Sequence, residues 1–227
     1  MPKINIGTFN LDKDGGDFPK RVYKLSEKIK KKTFDILCIQ EDFYSEDFST
    51  SNFLNIEFDY NVISTKTREK IRNQVQSSSN LTVMSKYPME LLDEIYFNKG
   101  QEEERAFQVI KVDLSKYSII LINTHLCHLS TRNREDQIQT ILDKIKEYRC
   151  DLKLFIGDLN SLPSSNEIKK IKSNAFTSIN KESTHEDNLI LDYIFYKSNL
   201  NIDIQSSILL NGFSDHHCLL NSFKIEE

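Results

Sequence analysis

Short apolar runs separated by polar turns dominate the chain. KINIGTF (3–9), DILCI (35–39), EFDYNVI (57–63), LTVMS (81–85) and FQVIKVDL (107–114) have the length and residue types of strands, as do YSIILIN (117–123), LKLFIGD (152–158), LILDYIFY (189–196), IDIQSSI (202–208) and CLLNSFKI (218–225). Two stretches instead repeat apolar residues at helical spacing. Phe18 to Lys32 carries Val22, Leu25 and Ile29; Asn133 to Tyr148 carries Ile138, Ile141, Leu142 and Ile145. Pro163 predicts the start of a short further helix. The polar stretch STKTREKIRNQVQSSSN (64–80) reads as the longest loop. Strands 107–114 and 117–123 follow each other as a hairpin, whereas others alternate with helices. That mixture predicts an α/β sandwich with mixed sheets, not a simple parallel winding. No shift in composition marks a boundary, so residues 1–227 read as one domain.

The length of 227 residues suits one large domain with a sizeable core. Lys and Arg total 30 against 34 Asp and Glu, a net charge of −4. This balance excludes a tail-type electrostatic binder of nucleic acid but leaves room for a local basic cleft. No apolar run approaches the ~18–20 residues of a membrane span, and the opening MPKINIGTFN lacks the apolar segment of a signal peptide. Cys38, Cys127, Cys150 and Cys218 form no CxxC pair. Reduced thiols in an intracellular protein, cytoplasmic or nuclear, without stable membrane association are the expectation.

The polar residues with chemistry sit where strands end. Asn10 and Asp12 follow the first strand, Glu41 follows DILCI, His125 follows YSIILIN, and Asp158 and Asn160 follow LKLFI. Asp192 interrupts an apolar strand, and Asp215 and His216 precede the last one. Strand ends on one sheet edge converge, which is how α/β proteins build sites. Carboxylates and an amide oxygen are hard ligands suited to Mg²⁺ or Mn²⁺. A histidine can move a proton near neutral pH. A divalent ion, a positioned water and a histidine describe metal-assisted phosphoester hydrolysis. HLCH (125–128) suggests zinc, but a second ligand pair at suitable spacing is missing. His128, His185 and His217 read as surface or packing residues. Lys66, Arg68, Lys70 and Arg72 read as a solvated face or as a substrate-contacting loop.

The segments TFNLD (8–12), DILCIQE (35–41), LTVMSKYPM (81–89), INTHL (122–126), RNREDQIQTIL (132–142), FIGDLN (155–160), LDYIF (191–195) and FSDHH (213–217) occur together and in this order. On these motifs the chain resembles the endonuclease/exonuclease/phosphatase superfamily, closest to tyrosyl-DNA phosphodiesterase 2-like members. The resemblance implies a four-layer DNase I-like sandwich of two mixed sheets flanked by helices. It implies that Glu41, Asn10, Asp12 and Asp215 hold Mg²⁺, with Mn²⁺ as a substitute. It further implies that Asp158 and Asn160 orient water and phosphate, that His125 contacts the scissile phosphate, and that Asp192 supports His216. Arg105 falls where many members place a phosphate-contacting arginine, and Lys66 and Arg68 are candidates for the same task.

Superfamily membership implies the reaction and leaves the substrate open. Asn-x-Asp together with THL favours a DNA nuclease or a 5′-tyrosyl-DNA end-processing enzyme. SLPSS after GDLN offers no arginine for a DNA phosphate. A phosphatase or lipid phosphodiesterase of the same superfamily, and a non-catalytic binding protein on this fold, are the alternatives.

Overall fold

The computed structural model describes residues 3–72, 75–97 and 104–226; within the first range the side chain of Arg72 lies outside the described set. In chain order the elements are β1 (Lys3–Asn10), α1 (Lys20–Ile29), β2 (Ile36–Ser45), α2 (Thr50–Asn55), β3 (Asn61–Arg72), β4 (Val75–Ser85), β5 (Met89–Tyr96), β6 (Ala106–Asp113), β7 (Ser118–His125), α3 (Thr131–Lys146), β8 (Leu152–Asp158), α4 (Asn166–Ser173), β9 (Asp192–Ser198), β10 (Ile202–Leu209) and β11 (Cys218–Ile225). The strands form a six-stranded sheet, β10-β11-β1-β2-β4-β3, and a five-stranded sheet, β5-β6-β7-β8-β9. Each sheet has one parallel pair at its centre, β1 with β2 and β7 with β8, and is otherwise antiparallel.

Alternation along the strands decides the layering. Ile4, Ile6, Ile36, Cys38 and Val83 of the first sheet pack against Ile110, Val112, Leu121, Leu154 and Ile156 of the second. The outer face of the first sheet takes Val22, Leu25 and Ile29 of α1, each worth ~1.5–3 kcal/mol when fully buried. The outer face of the second takes Ile138, Ile141, Leu142 and Ile145 of α3, with Ile168 and Ile171 of α4. The result is the four-layer α/β/β/α sandwich. Among the described residues no helix is long and apolar enough to cross a membrane.

The interface between the sheets is not wholly apolar. Thr8 Oγ1 donates to Gln40 Oε1 (3.2 Å), Gln40 Nε2 to Asn123 Oδ1 (2.8 Å), and Asn123 Nδ2 to Gln108 Oε1 (3.1 Å). Gln108 Nε2 continues the chain to Thr65 Oγ1 (3.0 Å), whose hydroxyl donates to Glu94 (2.6 Å). Gln40, Gln108 and Asn123 are fully buried. Each is satisfied by a partner, the condition for burying an amide without a large penalty.

The elements depart from the sequence expectations in definite places. Of the stretch 64–80, residues 64–72 belong to β3 and 75–80 to β4, so these parts are paired strand and not loop. Within it Ser77, Ser78, Ser79 and Asn80 are buried without being apolar, as Ser78 donates to Asn80 and Asn80 to Ser64, while residues 66–71 of β3 stay exposed or half-buried. Residues 57–60 precede β3 instead of opening it. β5 is a half-exposed edge strand with no continuous apolar face, and α2 has only six residues, so neither has a legible period. The helix expected from Pro163 begins at Asn166, where Ser165 Oγ accepts from the Ile168 N–H (3.3 Å).

One glycine is demanded by the close approach of β7 and β8. Gly157 has φ +141°, and a Cβ there would lie 1.9 Å from the Thr124 carbonyl oxygen. Gly157→Ala is expected to destabilise the fold by about 3 kcal/mol, from overpacking and backbone strain together. Equilibrium denaturant unfolding measures it; a midpoint equal to wild type would contradict the packing described here.

Candidate functional site

The two central parallel pairs direct their C-terminal ends to the same edge of the sandwich. Asn10 ends β1, Asp158 ends β8, and His125 ends β7 directly opposite Asp158. Asp192 opens β9 as the antiparallel partner of Asp158. His216 stands two residues before β11. A register shift between Ile39 and Asp42 places Glu41 in a bulge with φ 53°. Asp12 (φ 48°) and Asn160 (φ 47°) are also left-handed. Non-glycine residues held there cluster at functional sites.

Asp158 is the hub. Its Oδ2 accepts from Asn10 Nδ2 at 3.0 Å and lies 3.3 Å from His125 Nε2 and 3.6 Å from His216 Nε2. Its Oδ1 accepts from the Asn160 N–H at 2.9 Å. Asn10 repeats this turn, accepting at Oδ1 from the Asp12 N–H at 3.0 Å. Such Asx turns let a short polar side chain fold the chain back on itself. Asn160 Nδ2 donates to the Leu126 carbonyl at 3.0 Å, which leaves Oδ1 as its acceptor. His216 Nδ1 pairs with Asp192 Oδ2 at 2.8 Å, and both residues are buried.

The two histidines are held in opposite states. Burial pushes the His216 imidazolium down, but Asp192, Asp158 and Asp215 outweigh it and raise its pKa to about 10. His125 lies well below its ordinary value, first from burial and then from Arg105 and His216. Arg105 Nη1 lies 3.0 Å from His125 Nδ1. A guanidinium can only donate, so His125 Nδ1 accepts and its proton sits on Nε2, toward Asp158. Burial, then the Asp192 carboxylate, push Asp158 up, against the pull of His216, the Asn160 N–H and Asn10.

The acidic side of the pocket fits a hard cation. Asn10, Asp12, Glu41 and Asp215 line one cavity of ≈ 210 Å³ with Asp158, Asn160, His125 and His216. Asp12 is pushed up to about 6 by burial, then by Asp215, Glu41 and Asp14, with Arg21 opposing. Crowded carboxylates with an amide oxygen are the donor set for Mg²⁺ or Mn²⁺. By ligand spacing, the groups among the described residues whose atoms stand close enough to share one ion are His185–Asp215–His216 and Asp158–Asp192–His216; Asp12, Glu41 and Asp215 do not all approach one another that closely. Glu41 belongs to neither of them. The second group is already closed by the short His216–Asp192 hydrogen bond.

Some residues stand elsewhere than the sequence suggested. His185, read as a surface or packing residue, is a packing one and stands at the site: its ring packs edge-on to His216 at 4.8 Å, its backbone bridges to His216, and its Nε2 lies 4.0 Å from Asp215. His128 lines the same cavity. Lys66 is not brought to the site. A bulge between Lys66 and Arg68 resets the alternation of β3. Lys66 therefore turns to Glu69, in a cavity with Ser78 and Gln76, whereas Arg68 and Lys70 face the loop carrying Asp12.

Arg21, which no motif singles out, holds that loop in place. Its Nη1 donates to Leu11 O and Phe213 O at 2.7 Å, its Nη2 to Asp12 O and Lys13 O at 3.2 Å, and its Nε to Gly15 O at 3.2 Å. One guanidinium thus ties the Asp12 loop to the segment before Asp215. Arg21→Lys keeps the charge but not the fork. It is expected to lower stability by about 2 kcal/mol, through lost charge-assisted hydrogen bonds, and to reduce turnover. Thermal unfolding and kcat together check this; wild-type values for both would refute it.

A sequence profile of the Endonuclease/Exonuclease/phosphatase family matches residues 7–216. No curated protein matches the chain in sequence. Several solved structures share its fold. An endonuclease/exonuclease/phosphatase family protein from Leptotrichia buccalis is 18% identical at a TM-score of 0.80, covering 99% of this chain and 100% of that one. The human Nocturnin catalytic domain with a bound sulfate anion is 18% identical at 0.77, covering 99% and 94%. A truncated TDP2 from Caenorhabditis elegans is 20% identical at 0.71, covering 97% of each chain. A profile that runs unbroken from Gly7 in the first strand to His216 at the cavity is more than a shared motif, and the chain belongs to the Endonuclease/Exonuclease/phosphatase family, a group of hydrolytic phosphoesterases that typically depend on a divalent metal.

Proposed function

We infer that the protein is a Mg²⁺-dependent phosphodiesterase acting on nucleic acid, with a DNA nuclease or 5′-tyrosyl-DNA end-processing activity as its specific form. The observation that carries the reading is the buried line Asp192–His216–Asp158, with Nδ1 of the imidazole on one carboxylate at 2.8 Å and Nε2 3.6 Å from the other. A divalent ion held by Glu41, Asp12, Asn10 and Asp215 would neutralise charge on the phosphate and polarise it for attack.

The side chains supply the remaining chemistry. Asp158, with its proton affinity raised by burial, takes a proton from the attacking water. Asn160 Oδ1 helps to hold that water in line. Cationic His216 keeps Nδ1–H on Asp192 and offers Nε2–H to a phosphate oxygen, where negative charge grows in the transition state. Neutral His125, its Nδ1 committed to Arg105, offers Nε2–H from the other side. The likeness of fold to TDP2 supports the DNA-end reading. The likeness to Nocturnin supports phosphoester hydrolysis without restricting it to a DNA strand. Assays on plasmid DNA, a 5′-phosphotyrosyl oligonucleotide and phosphoinositides, with and without Mg²⁺, test the reading. Turnover of phosphoinositides alone would transfer it to the lipid phosphodiesterase alternative.

Three outcomes follow from this reading. Glu41→Gln is expected to lower kcat by ~10²-fold or more, the scale of losing one preorganised charge-stabilising contact, with circular dichroism unchanged. EDTA should abolish wild-type activity and Mg²⁺ restore it; full activity in EDTA would refute the metal assignment. Asp192→Asn removes the main group holding His216 cationic while burial still opposes the cation. The alkaline limb of the kcat/KM profile should therefore move down by about 1–3 pH units. An unshifted alkaline limb would separate Asp192 from the state of His216.

A further inference from the structure

The cations of this chain are unevenly placed. Residues 20–32, which span α1 and the turn after it, hold seven of the 30 Lys and Arg but one of the 34 Asp and Glu, so the rest of the chain is strongly acidic. A lysine-rich composition alone would have spread them.

The helix sorts these charges by face. Val22, Leu25 and Ile29 point into the core, so Lys20, Tyr23, Lys24, Glu27 and Lys28 form the outward stripe at i, i+3 and i+4 spacing. Lys31 and Lys32 follow, exposed, past the helix end. The carboxylates nearby go to other partners. Glu27 and Glu57 lie 3.0 and 3.9 Å from the Lys30 ammonium, and Asp17 lies 3.9 Å from that of Lys20. Among the described residues Lys24, Lys28, Lys31 and Lys32 have no carboxylate within ion-pair distance.

The same surface carries large apolar groups. Tyr23 is 59% and Ile56 74% exposed. The short helix α2 lies beside α1: the Tyr23 and Phe53 rings are 5.0 Å apart, and Lys30 reaches Glu57, the neighbour of Ile56. Tyrosine and isoleucine among lysines suit the boundary of a bilayer, where anionic head groups meet acyl chains. Lysine stems bury there while the ammonium stays in water. The sugar–phosphate backbone of a duplex gives Ile56 no apolar surface to meet. The face is also clear of the cavity, since α1 covers the outer side of the six-stranded sheet and the cavity opens at the strand ends.

We propose that Lys24, Lys28, Lys31 and Lys32, with Tyr23 and Ile56, form a docking surface for an anionic lipid bilayer, on which the protein lies reversibly without spanning it. The inference is independent of the phosphodiesterase reading. Docking on this face leaves the cavity open at the side, so the bilayer sets where the protein works and not what it cleaves.

Vesicle flotation of the full chain tests the surface, at about 0.15 M salt so that distant charges are screened. Vesicles of phosphatidylcholine alone are compared with vesicles holding about 30% phosphatidylglycerol. Each lysine near an anionic surface contributes about fivefold to partitioning. The wild type is therefore expected to bind the anionic vesicles at least tenfold tighter than the neutral ones, and Lys24→Gln/Lys28→Gln/Lys31→Gln/Lys32→Gln to lose at least tenfold of that affinity. Tyr23→Ser/Ile56→Ser, with the charge unchanged, is expected to lose at least threefold. All six side chains are exposed, and melting curves confirm folding of both variants. No preference for anionic vesicles in the wild type, or a quadruple variant that binds them as the wild type does, overturns the proposal. A quadruple variant that loses affinity for a short DNA duplex, while Tyr23→Ser/Ile56→Ser leaves vesicle binding unchanged, overturns it in favour of nucleic acid on this face.

Discussion

A carboxylate with 1% of its surface exposed is the constraint around which the cavity is organised. Asp158 could not be charged there alone, since an ionised group removed from water loses several kcal/mol of solvation even after relaxation. Its oxygens are met instead by an amide from the other sheet, a backbone N–H from its own turn, and two imidazoles. Each partner arrives on a different element, so the carboxylate makes demands on β1, β7, β8, β9 and the turn before β11 at once. The missing side chain at position 157 belongs to the same set of demands. It lets β8 approach β7 closely enough for His125 and Asp158 to stand side by side.

Charge is sorted around that hub. Carboxylates gather on the Asp12–Glu41–Asp215 flank, guanidinium and ammonium groups on the Arg68–Lys70–Arg105 flank, and the histidines stand between in opposite protonation states. Two imidazoles a few ångströms from one carboxylate differ because Asp192 backs one and Arg105 backs the other. Paired titratable groups pushed apart in this way mark a division of labour in acid–base chemistry.

Much of this was legible in the chain because strand ends are punctuated. GDLN, SDH and THL each close or precede an apolar run, and the parallel pairs bring those ends to one edge. Asp192 stood out because an aspartate inside LILDYIF needs a partner. What stayed hidden lacked such contrast. His185 lies in a polar loop, and only the backbone bridge to His216 carries it inward. Residues 77–80 looked like a loop because their burial rests on hydrogen bonds of serines and an asparagine, not on apolar period. The separation of Lys66 from Arg68 was hidden because a bulge changes which face a residue occupies without leaving any mark in the residue types. Arg21 was invisible because its hydrogen bonds all go to backbone carbonyls.

The amide chain running from Thr8 through Gln40, Asn123 and Gln108 to Thr65 has a mechanical consequence. Apolar faces attract without regard to direction, so two greasy sheets alone would tolerate sliding past each other by a fraction of a residue. Directional bonds between Gln40 on one sheet and Asn123 on the other remove that freedom. They do so within two residues of Glu41 and His125, which come from opposite sheets and face each other at 3.7 Å. The sandwich is thus pinned against shear where a slip would pull apart the two halves of its cavity, and it is free to be merely greasy everywhere else.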